Sequence, residues 1–234
     1  MNKKYLSFGA IMLSSLIIFL SCKSDKKDVS RKTADSIEML EATQFEIFNV
    51  EPTESQELKK TTLKYKDVKY HRGDLLVRQD FYQVNNTLKA FEVITKDGDK
   101  GISNYYSTDS TLLAIYHLVY HPNSDLIMRR EGYDGQTKEL LRVETYEYDT
   151  KYKEIKSKVI YDATGSPVRK FNMSFDAQGN EKSVTVLNQD GSVVAGESFE
   201  VIARDNKGRW TERWGSLNGQ VDNFQRRIFT KTNK

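Results

Sequence analysis

The strongest constraint in this sequence is a short unit that recurs through its C-terminal half. Tyr161-Asp162-Ala163-Thr164-Gly165 is followed by Phe175-Asp176-Ala177-Gln178-Gly179, then by Asn188-Gln189-Asp190-Gly191 and Arg204-Asp205-Asn206-Lys207-Gly208. The aspartates step by 14, 14 and 15 residues. Tyr148-Asp149 lies 13 residues upstream of Asp162, and Asn218-Gly219 lies 13 beyond Asp205. Weaker members stand at Asp97-Gly98 and Tyr133-Asp134-Gly135. Asp and Asn side chains bond to nearby backbone and open a turn, and Gly supplies the positive φ that closes it. The spacing leaves about ten residues for one strand between turns, so consecutive strands are antiparallel neighbours.

Between the turns the pattern has a period of two. Ile155, Ser157, Val159 and Tyr161 alternate with Lys156, Lys158 and Ile160, and Phe171, Met173 and Phe175 alternate with Asn172 and Ser174. Such alternation of β-branched and aromatic residues marks half-buried strands. Pro122 and Pro167 fall at turns, where a missing N–H costs nothing. The expectation is an all-β chain: an antiparallel meander of about 12–13 strands over residues 61–234, forming a curved single sheet or a half-barrel. With 38% hydrophobic and 11% aromatic residues, the chain has enough for one good core face.

At these residues the chain resembles the YD-repeat (Rhs-like) proteins, whose hallmark is Tyr-Asp-x-x-Gly. Tyr161-Asp162-Ala163-Thr164-Gly165 matches in full, Phe175 stands for Tyr in the next unit, and Arg204-Asp205-Asn206-Lys207-Gly208 keeps the Asp and Gly. The resemblance covers roughly Tyr146 to Gly208. It implies a β-meander and carries no catalytic residue.

The N-terminus reads as an address. Lys3 and Lys4 precede an apolar stretch from Phe8 to Leu20, too short to span a bilayer but of the length of a signal-peptide core. Phe19-Leu20-Ser21-Cys22 follows, and Cys22 is the only cysteine. This resembles a bacterial lipobox, in which the cysteine is lipidated, with palmitate among its acyl chains, and begins the mature protein. The resemblance implies a signal peptide over residues 1–21 and a membrane partner reached through lipidated Cys22. Lys23 follows the cysteine, which favours the outer membrane, and the periplasmic leaflet is favoured over the cell surface. Lipoproteins that look like this are common among the Bacteroidetes. Residues 22–32 are polar and read as a flexible tether. Over residues 33–60, Asp35 with Glu38 resembles a capping box, and Ile37, Leu40 and Gln44 share one side. The expectation is one short helix between Thr33 and Val50, ended by Pro52.

Without residues 1–21 the chain carries 34 basic and 33 acidic groups, which argues against a nucleic-acid partner. No nucleophile elbow and no phosphate loop is present. His117 and His121, four apart on a strand, could share a face but have no metal-motif spacing. The Asp-rich turns at Asp97-Gly98-Asp99 and Asn188-Gln189-Asp190-Gly191 read as turn formers rather than calcium loops. The expectation is therefore no catalytic residue, no metal and no cofactor. The better lead is aromatic. Trp210 and Trp214 have the same parity on a strand, and with Tyr116 and Tyr120 they are the candidate face for an envelope protein or a glycan. The reading is a non-enzymatic binding or assembly module of the bacterial envelope. The alternatives are a half-barrel carrier of a hydrophobic ligand, with the N-terminal helix as its cover, and an envelope hydrolase using paired carboxylates.

Overall fold

A computed structural model describes residues 40–53, 57–151 and 153–231. Cys22, the signal peptide, the tether and residues 33–39 of the expected helix lie outside the described residues.

The described residues form strands joined by turns, with no helix. The strands are β1 (Glu41–Pro52), β2 (Leu58–Arg72), β3 (Leu75–Tyr82), β4 (Leu88–Asp97), β5 (Lys100–Ser107), β6 (Leu112–Tyr120) and β7 (Ile127–Asp134). They continue with β8 (Leu140–Tyr148), β9 (Ile155–Asp162), β10 (Pro167–Phe175), β11 (Glu181–Leu187), β12 (Val193–Arg204), β13 (Trp210–Leu217) and β14 (Gln220–Lys231). Each pairs antiparallel with the next, and β14 pairs back onto β1, closing a 14-strand barrel.

Closure corrects two expectations. The sheet is neither an open curved layer nor a half-barrel. Residues 41–50, expected in a short helix, are strand β1, so the barrel begins at Glu41 rather than at Thr61. That segment supplies the strand that joins β2 to β14, through Glu41↔Lys231 to Asn49↔Asn223 on one side and Glu41↔His71 on the other. Without it the meander would keep two open edges.

The turns behave as their chemistry requires. The Asp162 carboxylate accepts the backbone N–H groups of Thr164 and Ser166, Asp176 those of Gln178 and Asn180, and Asp205 those of Lys207 and Arg209. In each the closing glycine has positive φ: +86° at Gly165, +83° at Gly179 and +78° at Gly208. The third unit, Asn188 to Gly191, differs from its expected register. Asn188, not Asp190, occupies the opening position, since Gly191 N–H donates to the Asn188 carbonyl. The turn openers therefore step by 14, 12 and 17 residues, and strand lengths adjust to match.

Residues paired across a ladder share a face, so the inner wall can be traced strand by strand. Phe45 pairs with Asp67 and Arg227, Asp67 with Phe81, and Phe81 with Ala90. The largest fully buried side chains, Trp210, Arg213, Gln225, Glu144 and Ser103, all fall on this inner set. Two apolar patches share it. One comprises Ile94, Ala114, Tyr116, Leu118 and Tyr120, and the other Val184, Val186, Ala195 and Phe199.

Candidate functional site

Strand direction alternates, so the turns sort to two ends. The β2–β3, β4–β5, β6–β7, β8–β9, β10–β11 and β12–β13 turns share one end with the start of β1 and the end of β14. The chain therefore enters the barrel from its N-terminal side here. At this end lies a cavity of about 1050 Å³, lined by Thr43, His71, Glu154, Arg209 and Phe229 among others. Its lining carries both signs of charge, and Arg209 stacks 3.5 Å from the Phe229 ring centroid.

Below this mouth the inner wall is charged to an unusual degree, and most of that charge is paired. Arg130 reaches Glu92 at 2.7 Å while lying 3.6 Å over the Tyr116 ring. Ser103 donates to the same carboxylate. Glu144, 1% exposed, holds Arg142 at 2.8 Å and Lys158 at 3.0 Å and accepts from the Tyr146 hydroxyl. Burial alone would raise the Glu144 carboxyl, but Lys158, Arg130, Arg142 and Tyr146 together outweigh it and hold the group down at about 2. On β13, Arg213 donates to Gln225 at 2.7 Å and to the Glu181 carboxylate at 3.0 Å. Gln225 in turn donates to Asn223 at 2.9 Å and to Glu197 at 3.3 Å. Burial raises the Glu197 carboxyl despite these donors.

Two inner-wall groups differ. Arg227 lies 4.0 Å over the Trp210 ring and, among the described residues, makes no hydrogen bond or ion pair. Burial, then the neighbouring Arg213 charge, lowers its guanidinium to about 10. On the same rung, two strands away, one oxygen of Asp67 accepts from Tyr65 at 2.9 Å and from Gln79 at 2.7 Å. The other oxygen is buried without a partner. Burial also raises the carboxyl of Glu154, in the mouth, against the Arg227 charge.

The expected aromatic face divides in two. Tyr116, Tyr120 and Trp210 are buried on the inner wall, at 5%, 2% and 2% exposure. Trp214 packs outside, edge-on to Phe224, which touches Phe48. The cause is a register slip between β12 and β13. Ala203 pairs with Glu212 and Arg204 with Trp210, which leaves Thr211 as an extra residue. One extra residue reverses the side on which everything beyond it points. Trp210 therefore joins Arg213 inside despite sharing parity with Trp214.

His117 packs against Tyr133 with its ring tilted, and His121 sits exposed in a turn, its Nδ1 against the Pro122 carbonyl. Among the described residues no three His, Cys, Asp or Glu side chains come together as metal ligands. The Asp190 carboxylate is occupied by Ser192, and those of Asp162, Asp176 and Asp205 by their own turns. Alternation alone did not reveal Glu92, Arg130, Glu144, Lys158, Arg213 and Arg227 as inner-wall residues. The nearest signal was the adjacent pair Arg129-Arg130, which forces one guanidinium onto each face.

The outer wall carries ion pairs within its strands: Glu46 with Arg226 at 2.5 Å, Arg78 with Asp80 at 2.7 Å, and Arg129 with Glu131 at 2.8 Å. A barrel that crosses a bilayer presents a continuous apolar band to the lipid, and charge within it is destabilising. These ion pairs interrupt such a band on this wall.

No protein-family model matches the sequence, and no curated protein does. Among solved structures, a porin-like protein from Bacteroides uniformis aligns at 8% identity and a TM-score of 0.44, covering 80% of this chain and 96% of that one. An outer membrane lipoprotein-sorting protein domain from Vibrio parahaemolyticus aligns at 10% identity and a TM-score of 0.37, covering 84% and 87%. The Tc holotoxin pore of Photorhabdus luminescens aligns at 14% identity and a TM-score of 0.30, over 78% of this chain and 11% of that one.

Proposed function

We propose that the protein is a non-catalytic binding module of the bacterial envelope, anchored to the periplasmic leaflet of the outer membrane through lipidated Cys22. Its partner, an envelope protein or a glycan, is received at the mouth of the barrel. The observation that carries this reading is a closed barrel, with ion pairs on its outer wall, whose mouth cavity lies at the end where the chain arrives from its N-terminal side. A binding end close to the tether suits a ligand presented at or near the membrane surface.

The charged inner wall supports a structural rather than a catalytic use of its acids. Glu144 is locked by several partners and held well below the usual carboxylate range, and Glu197 is held in place by Asn223 and Gln225. The half-barrel carrier loses its geometry, because β1 is a wall strand and not a cover, and because charged side chains line the mouth.

The anchoring half is tested by Cys22→Ala followed by membrane fractionation. The expected result is release of the protein to the soluble fraction, and unchanged membrane association overturns the anchor. The binding half is tested by crosslinking in intact cells with a photoreactive residue at Lys207, on the rim, or at Asn85, in a turn at the opposite end. Adducts confined to Lys207 support a binding mouth, and adducts confined to Asn85 overturn it.

A further inference from the structure

We propose that Arg227, on its Trp210 platform, is an oxyanion-binding site one rung below the mouth cavity, taking a carboxylate or phosphate group of the ligand. The proposal rests on the reading of the barrel as a binding module and names the chemistry of its deepest contact.

Three observations converge. The first is that Arg227 is unpaired where comparable groups are not. Arg130, Arg142 and Arg213 each hold a carboxylate on the inner wall, while Arg227 holds none among the described residues. A desolvated guanidinium with no acceptor is costly unless a ligand supplies one. The second is position. Phe229, two residues along β14 on the same face, and Thr43, which pairs with it, both line the cavity. Arg227 therefore sits one rung below the cavity, and it is half-buried, so solvent still reaches it. The third is preorganisation. The guanidinium lies 4.0 Å over the Trp210 ring, and Trp210 is itself held by Phe45, edge-on at 6.1 Å, and by Arg213, which also lies over its ring at 4.2 Å. A planar fork held in place loses little freedom on meeting a planar or tetrahedral oxyanion.

The surrounding charges set how selective such a site is. Arg213 adds positive potential, and Lys69 approaches from β2, in register with Thr43. Glu181 is already neutralised by Arg213. Asp67 and Glu154 oppose a bare anion. A ligand that also carries a hydrogen-bond donor can satisfy the unpartnered oxygen of Asp67 on the same rung.

Trp210 makes the test direct, because it lies under the proposed site and is one of only two tryptophans. In a Trp214→Phe background of the full chain, Trp210 fluorescence is titrated at low ionic strength with sodium phosphate and, separately, with sodium acetate. The expected result is a saturable change with at least one of them. It should weaken by roughly tenfold or more in Arg227→Gln and survive in part in Arg227→Lys. Phosphate alone saturating assigns a phosphate ligand, and acetate alone a carboxylate. No saturation with either, or equal titrations in the parent and Arg227→Gln, overturns the proposal. Melting curves of both variants establish that the barrel is intact, and Arg227→Lys supplies the comparison should Arg227→Gln fail to fold. A negative titration leaves the crosslinking pattern unaffected, so failure of the oxyanion site is distinct from failure of the binding mouth.

Discussion

On the β4–β9 arc, Glu144 sits among Lys158, Arg142, Arg130 and the Tyr146 hydroxyl, whereas on the β13–β14–β1–β2 arc Arg227 rests on Trp210 with no ion pair among the described residues and Asp67 keeps one oxygen unpartnered. Both arcs bring charge into the same lumen. On the first, each charged group has a fixed counter-charge that offsets most of its desolvation, although the Arg130 Nε is buried without a hydrogen-bond partner, and removing one of these charges strands the rest. On the second, polar groups are left with unmet hydrogen-bonding capacity beside a cavity. Paired charge in the lumen serves the fold, and unpaired charge is where a ligand has something to gain.

The sharpest way to break this comparison is Glu144→Leu. It removes the acceptor shared by Lys158, Arg142 and Tyr146, and a loss of about 3–5 kcal/mol in urea unfolding is expected. A loss under about 1 kcal/mol would mean that the arc is not held by its charges.

Acid offers a second route of similar size. With a folded value of about 2, below its unfolded value near 4.5, Glu144 contributes stability that is fully present above the unfolded value. That contribution, of about 3 kcal/mol, is lost as pH falls through the window between the two. Glu154 has the opposite sign. Its raised carboxyl costs stability when ionised, and that cost is relieved as pH falls through its folded value. Unfolding curves between about pH 2 and 6 should therefore show an acid limb that flattens in Glu144→Leu but persists in Glu154→Gln.

A control independent of both arcs is Gly165→Ala. With φ at +86° and open space around the position, only backbone strain is added, and a loss of about 1 kcal/mol is expected in thermal unfolding. The smallest effect belongs to Arg227→Met. Because no described ion-pair partner is left behind, stability should change by less than about 1 kcal/mol, and a rise would mark the charge as a net burden. A loss as large as that of Glu144→Leu would show that Arg227 is structural.

The features legible in the sequence were local. Asp162 with Gly165 and Asp176 with Gly179 specify their turns within five residues, and the alternation of Phe171, Met173 and Phe175 specifies a strand. Closure was not legible, because it depends on Glu41 meeting Lys231, a pairing no local pattern encodes. Ile37, Leu40 and Gln44 have helical spacing, yet Phe45, Ile47 and Asn49 alternate into the barrel from the same stretch, and the wall they complete decides the outcome. The site was hidden for two further reasons. The extra residue at Thr211 separates Trp210 from Trp214, and charged residues such as Lys158 and Arg227 face inward, where alternation assigns apolar ones.

The seam between β1 and β14 also fixes an order of events. The first strand to leave the ribosome has to wait for the last before its second edge is covered. Hairpins from β2 onward can form as they emerge, but the final closure spans nearly the whole chain and carries the largest loop entropy. Until then β1 and β14 are bare edges, able to pair with any extended segment they meet. The ribbon becomes a barrel only when its two ends meet.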